Sequence, residues 1–530
     1  MKKVIFVLSL FFFSAVFFLG RRPVDEPDAK AVFRMNLTSE PPTLDWSLAT
    51  DNVSIRVIEN LMEGLAEYDA DLRPKPAIAK RWEVSPDGLF YLFYLRDDVF
   101  WTDGKRVTAH DFEYAWKRLL DPKTASEYAY FLYDLRNGAE YNAGEIKDPD
   151  QVGVNAVDDE TLRVDLKKPA VYFPSITTFT ATFPLRRDMI ERYGDRWTDP
   201  DRIVTCGPFR LKEWRHEYRL ILEANDRYYG GRPALDRVIF YVVEEETTAL
   251  TLYETDRLDR VALPPMAIPH YQSHPDYFHA PFLRGYYYGF NVEKPPFNDP
   301  RVRQAFSMAV DRNEIPHILK GGEIPATSWI PEGMFGHNPK IGLPFNPERA
   351  RSLLNDAGYR DGAGLPPITL AFNSDPTNRL IGENIQAQWK RNLGVTVQLD
   401  NMEWKVYLKR LREDAPQIFR LGWGADYPDP DNFMNLFTGG SGNNLTRWKN
   451  RTYDRLISKA ASEPDEARRI SLYDEAQRIL TEIDTPISPL FFAAQNLLIK
   501  PSIQGLEINA MDLLYLKKVR RQEGPGGGIE

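Results

Sequence analysis

The sequence predicts a mixed α/β fold with at least one α/β lobe on each side of a boundary near residues 285–290. Three observations carry this. The second half alternates amphipathic helical stretches with short apolar strand stretches, a recurrence that favours partly parallel sheet. The middle of the chain is strand and turn, with DDETLRVDL reading as a hairpin-like strand entry and DRVIFYVV as a buried strand. At 530 residues the chain can support two or three cored regions, each able to fold without staples.

Taken in order, the N-terminal MKKVIFVLSLFFFSAVFFLGRR sets two lysines before an apolar run from Val4 to Leu19. This is the layout of an export signal, and the run is shorter than an ordinary membrane span. No A-x-A-like cleavage site and no lipid-attachment cysteine accompany it. Residues 1–22 are therefore expected to be an export signal or an uncleaved anchor. The protein is expected in the periplasm or on the extracytoplasmic face of the cell membrane. From Val32, short strands and turns lead to a helix over Ser54–Met62. Phe90–Leu95 reads as a strand, and Asp103-Gly104 marks a turn. Thr108 is the expected N-cap of the next helix, with Asp111 at the capping-box position. Phe112, Ala115, Trp116 and Leu119 share one face of that helix. Trp101 and Trp116 are assigned to the core. In PFNDPRVRQAFSMAVD, Asp299 caps and Pro300 fits the first helical position. NPERARSLLNDAGY is a helix ending at Gly358. IGENIQAQWKRNLGVTVQLD, residues 381–400, is a helix, a glycine stop and a strand. EGPGGGIE, residues 523–530, is an expected disordered tail.

Composition narrows function. Hydrophobic residues are 43% and charged residues 27%, a globular balance. The net charge of -9 argues against nucleic acid as a partner. The single cysteine, Cys206, excludes an internal disulfide framework and a cysteine-rich zinc site. The seven histidines form no HExxH-like pair, and no Gly-x-Ser-x-Gly or Walker loop occurs. No catalytic residue, metal ligand or cofactor is assigned. Enrichment in Tyr (26) and Trp (11) suits a recognition surface, because these rings give contact area at low entropic cost. Within RLGWGADYPDPDNF, residues 420–433, Asp426, Asp429 and Asp431 lie close together. Intervening prolines and the lack of a closing glutamate do not fit a calcium loop. Asp426 is either an Asx-turn residue before Pro428 or a carboxylate awaiting a cation.

Several blocks together carry a resemblance: NLMEGLAEYDADLRPKPAIAKRWEVSPDG, FYLRDDVFWTDGKRVTAHDFEYAWKRLLDPKTASEYA, YGDRWTDPDRIVTCGPFRLKEW, PPFNDPRVRQAFSMAVDR and LGWGADYPDPDNF. From about Phe33 to about Lys500 the chain resembles the family 5 extracellular solute-binding proteins, in particular the oligopeptide-binding proteins of ABC importers. The resemblance implies a two-lobed flytrap with an additional domain in the N-terminal lobe. Domain I would be 31–63, 183–284 and 495–522; domain II 64–182; domain III 285–494. It also implies that Asp426 meets a peptide α-amino group and that Trp423 and Trp404 line side-chain pockets. Arg420 would serve the carboxylate of a short peptide, and Tyr128 would lie beside the first ligand residues. Asn52, Asp375 and Asn378 fall in segments that contact the peptide, and Gly424 stands where a close relative has cysteine. Two alternatives stay open: Trp404 as a core residue, and Arg420 paired with Glu413 or Asp414. The implied function is capture of oligopeptides and their delivery to an ABC permease, by a monomer that uses no cofactor. Another solute (a dipeptide, murein peptide or metal chelate) or an anchored sensory role is the alternative.

Overall fold

The computed structural model describes residues 31–522. The readings made for residues 1–22 and 523–530 lie outside them. Among the described residues no helix is long and apolar enough to cross a membrane.

The helix starts follow the capping chemistry. Asn52–Leu61 is capped by Asp51, whose carboxylate accepts from Ser54 N at 2.8 Å. Ala109–Leu120 follows Thr108, whose backbone N–H donates to Asp111 at 2.9 Å. Trp101 and Trp116 are both fully buried, and Trp116 Nε1 donates to the Thr182 carbonyl at 2.8 Å. Pro300–Met308 is capped by Asp299. Pro347–Asp356 ends just before Gly358, which takes a φ of +94°. The helix placed from Ile381 in fact spans Pro376–Leu393, with Asp375 as its N-cap. The Asp375-Pro376 pair sets this earlier start, as Asp299-Pro300 does for its helix, by placing a cap and a proline at the first helical position. Gly394, at φ +73°, ends it, and the strand Val397–Met402 follows.

An eleven-stranded mixed sheet organises the molecule. One wing holds Val397–Met402, Ile368–Asn373 and Ile418–Gly424, with Ile368–Asn373 parallel to both neighbours. The other holds Arg260–Ala262, Val32–Leu37, Arg237–Val242, Arg219–Ala224 and Phe209–Arg215. Between the wings run two long antiparallel strands, Tyr277–Phe290 and Ile487–Ile499. Ile487–Ile499 is apolar and buried over most of its length, as a central strand should be. The ladder between these two strands shifts register twice, between Pro281 and Gly285 and between Tyr286 and Tyr287. Pro281 faces Ala494 and Gly285 faces Phe492, so Phe282–Arg284 bulge out of register.

A separate antiparallel sheet runs Ala79–Val84, Phe90–Leu95, Thr161–Asp165, Val154–Ala156. Phe90–Leu95 alternates half-buried and buried side chains, and Ala109–Leu120 packs near this sheet. The lobes touch. Tyr68 and Leu72 join a core otherwise built from residues 283–487, while Tyr427 and Ala461 join the core of the first half. The cleft between them is where the 420–433 segment lies.

Candidate functional site

Strand Ile418–Gly424 is paired on both sides, and its side chains alternate. Phe419, Leu421 and Trp423 pack against core. Arg420, Gly422 and Gly424 face the other way, opposite Tyr288, Tyr286 and Arg284 of the neighbouring strand. The chain then turns through Asp426 into the short helix Pro430–Met434, capped by Asp429.

That helix brings Asn432 back under the turn. Asn432 Oδ1 accepts from Trp423 Nε1 at 2.9 Å and from the Asp426 backbone N–H at 3.1 Å. Its amide donates to Asp426 Oδ2 at 3.4 Å, and the Tyr130 hydroxyl donates to the same oxygen at 3.0 Å. Among the described residues no cation pairs with this carboxylate. Burial pushes its pKa up to about 6, against the opposing hydrogen bonds from Asn432 and Tyr130. The Asx-turn alternative is not what forms: the partners of the carboxylate are side chains.

Asp426 lines two recesses. One, of about 410 Å³, is shared with Trp423, Tyr130, Tyr172 and Lys168. The other, of about 90 Å³, is shared with Asn52, Tyr128, Phe179 and Phe282. Tyr128 meets the Phe179 ring edge-on, centroids 4.8 Å apart. Asn52 is the exposed first residue of its helix. Thus Asp426, Trp423, Gly424, Tyr128 and Asn52 come together. A cavity of about 440 Å³ opens elsewhere, between Val310–Asn313 and Ile324–Ser328, and none of the residues singled out from the sequence lines it.

Arg420 lies further along the strand. Its guanidinium stands 4.4 Å from the Tyr286 ring centroid, and its Nη1 donates to Asn373 Oδ1 at 3.3 Å. Its Nε is buried with no partner. Neither acid proposed for it takes part, because Glu413 reaches Lys409 (3.9 Å) and Asp414 reaches Lys294 (2.6 Å). Asp375 is occupied as a helix cap, accepting from Asn378 N at 3.0 Å. Asn378 is buried between Tyr286 and Asn373, at 2.9 Å from each. Both residues hold the ground beneath Arg420. Trp404 begins the helix Trp404–Asp414 and is 43% exposed, so the core alternative fails. Its ring lies 6.1 Å from that of Tyr407, whose hydroxyl donates to the Arg420 carbonyl.

Sequence reasoning missed Asn432 and Tyr130. The Asp429-Pro430 start signal was the clue to the first, since a helix there folds residue 432 back toward 426. Tyr130 lies two residues after Tyr128 in the same segment. The remaining acids of the cluster are committed elsewhere: Asp429 pairs with Arg469 through two contacts of 2.7 Å, and Asp431 accepts from Tyr427 at 3.1 Å. The thiol of Cys206 is buried, and burial pushes its pKa up.

Comparisons with known proteins identify the family and the fold. Oligopeptide-binding protein OppA of Bacillus subtilis is 32% identical over 505 residues, 92% of each chain. A structure of the murein tripeptide binding protein MppA, in its unliganded open form, superposes with a TM-score of 0.82 at 32% identity, covering 93% of this chain and 99% of that one. Peptide-bound OppA of Listeria monocytogenes gives 0.74 at 29% identity, covering 93% and 99%. The model of the bacterial extracellular solute-binding proteins, family 5, matches residues 73–445, and with a two-lobed mixed α/β fold the chain belongs to that family.

Proposed function

We propose that this protein captures oligopeptides outside the cytoplasm and delivers them to the permease subunits of an ABC-type importer. The observation that carries the reading is Asp426, an unneutralised carboxylate in the interlobe cleft at the head of a glycine-bearing strand. A lone charge in a recess is costly, and a cationic group on a ligand removes that cost. A peptide α-ammonium suits the position, because its three hydrogens can be shared among a carboxylate and nearby carbonyls. Gly422 and Gly424 leave the strand surface low on that face, so an extended backbone can approach it. Backbone hydrogen bonds ignore side-chain identity, while Trp423, Tyr128 and Trp404 border spaces in which varied side chains, with bridging water, can be housed.

The lobes in this reading are domains I (31–63, 183–284, 495–522) and II (64–182) on one side and domain III (285–494) on the other. Both crossing points fall inside long strands, and one coincides with the bulge at Phe282–Arg284. Closure is then a population shift driven by contacts made only when the lobes meet. Binding and release do no chemistry and use no cofactor. The protein acts as a monomer in the periplasm or at the outer face of the cell membrane.

The test is mass spectrometry of ligands released by denaturing the purified protein, followed by calorimetry of the stripped protein with a peptide pool. Peptides are expected in both. Recovery of sugars or metal chelates alone, with no heat from peptides, would overturn the reading.

A further inference from the structure

Two arginines on the strands beside this cleft make no ion pair among the described residues. Arg284 sits directly opposite Gly424 in the ladder, and Arg420 opposite Tyr288, so both project from the same face of paired strands. They converge on the glycines between them. A Cβ built on Gly424 would lie 3.6 Å from Arg284 Nε, and one on Gly422 would lie 3.8 Å from Arg420 Nη2. These glycines are two residues apart on a strand, hence about 7 Å from one another. The two guanidinium groups therefore flank one shallow floor, next to Asp426.

Their partners are aromatic faces and one amide. Arg284 lies over the Phe282 ring at 4.8 Å, Arg420 over Tyr286 at 4.4 Å, and Asn373 accepts from Arg420. Neither makes an ion pair among the described residues. Desolvation and the charge of Arg420 push the pKa of Arg284 down, Asp512 opposes them, and the residue is solvent-exposed, so its guanidinium is open to a ligand. Nearby cations are treated differently. Arg56 and Arg260 share Asp512, and Lys517 is held by Glu63 and Glu67. The bulge at Phe282–Arg284 is a local break in the ladder, a device that re-aims a side chain at a site. Along this stretch of paired strand, the groups with no ion pair among the described residues are one carboxylate, Asp426, and two guanidinium groups, while Glu59, Asp431 and Lys167, also without ion pairs, line the flanking recesses. An occupant that satisfies Asp426 and both arginines carries one ammonium and two carboxylates.

Resting on the peptide reading above, we propose that Arg284 is a specificity-determining residue which, beside Arg420, selects peptides bearing an acidic side chain over their neutral counterparts. One guanidinium is taken by the C-terminal carboxylate of a short peptide, and the other by a glutamate or aspartate side chain. Guanidinium suits this task because its planar fork matches a carboxylate and because aromatic stacking holds it in place.

The test uses stripped full-length protein and tetra-alanine peptides in which residue two or three is replaced by Glu or Gln. Calorimetry compares wild type with Arg284→Gln, Arg284→Lys and Asp426→Asn. Wild type is expected to bind at least one Glu peptide about tenfold or more tightly than its Gln twin. Arg284→Gln should bring that ratio close to one, and Arg284→Lys should retain part of it. Asp426→Asn should weaken both twins alike and leave the ratio in place. A wild-type ratio of one at both positions overturns the proposal, as does a ratio that survives Arg284→Gln in a variant with unchanged thermal unfolding. If wild type binds none of these peptides, the peptide reading falls and takes this one with it. If it binds them without preference, only the acidic selectivity falls.

Discussion

Asp426 and Asp429 stand three residues apart in one turn, yet their charges meet opposite surroundings. Asp429 is buried and receives two hydrogen bonds from Arg469, a bidentate ion pair closed within the protein. Asp426 receives hydrogen bonds from a tyrosine and an asparagine, and its pKa is pushed up to about 6. A charge that the fold needs is compensated by the fold. A charge left uncompensated at a cleft costs stability in the free protein and is compensated by whatever arrives.

The comparison is broken most severely through Arg469. Arg469→Met strands Asp429 in the interior and should lower unfolding stability by about 3–5 kcal/mol in denaturant titration. Asp426→Asn, in the same experiment, should leave stability unchanged or slightly raised. Equal losses for the two would erase the distinction between them.

Binding should invert the order. With a free-amine peptide against its N-acetylated form, wild type should discriminate strongly. Asp426→Asn should lose most of that discrimination, a coupling of about 2–5 kcal/mol in a double-mutant cycle. Should wild type bind both forms equally, Asp426 is not an anchor for a peptide N-terminus.

How much of this was legible in the sequence differs by level. Capping residues, the apolar face of Ala109–Leu120 and the strand Phe90–Leu95 follow from local rules, because their signals are neighbours in the chain. The start of Pro376–Leu393 is equally local, set by the Asp375-Pro376 signal, and it gives Asp375 a capping role that the reading from Ile381 leaves out. The pairing of Asp429 with Arg469 was not legible, since 40 residues separate them and only packing joins them. Tyr130 meets Asp426 across 296 residues, so no spacing rule finds it. Asp426 itself stands out through a motif, while local chemistry favours a turn slightly over an anchor.

The raised pKa of Asp426 sharpens the comparison through pH. Its folded value, about 6, lies above its ordinary value, so ionisation of this group opposes folding of the empty protein. That penalty is fully present well above pH 6, fades as pH falls from 6 toward the ordinary carboxyl value of 3.8, and is gone only below that, where both states are protonated. Peptide binding has the opposite sign, because the ammonium needs the ionised form. Affinity for a free-amine peptide should therefore weaken below about pH 6, by up to about tenfold per unit, in calorimetry. Asp426→Asn should flatten the profile. A wild-type profile as flat as that of the mutant would assign the titration to other groups.

A smaller effect is expected at Trp423. Its indole is held by Asn432 and lines the larger recess, and on the proposed reading it would border side-chain space without meeting the ligand's charge. Trp423→Ala should reorder preferences across a peptide array more than it lowers all affinities. A uniform loss would point to a structural role.

The smallest change, Tyr130→Phe, asks whether the hydroxyl on Asp426 competes with a ligand or helps it. Tyr130 and Asn432 both bond to Oδ2 of the carboxylate. An ionised carboxylate has about four acceptor sites over its two oxygens, so Oδ1 keeps capacity for an ammonium while Tyr130 stays in place. A retained donor stabilises the ionised form, and its loss should raise the Asp426 pKa further. The contact also joins the two sides of the cleft, which favours the closed arrangement. Both effects make Tyr130 a helper. Tyr130→Phe should weaken binding of a free-amine peptide by about 0.5–1.5 kcal/mol, the net worth of one hydrogen bond, and shift the pH profile upward. Tighter binding in the variant would mean that the hydroxyl stands where the ammonium must go, and that opening of the cleft begins with its displacement.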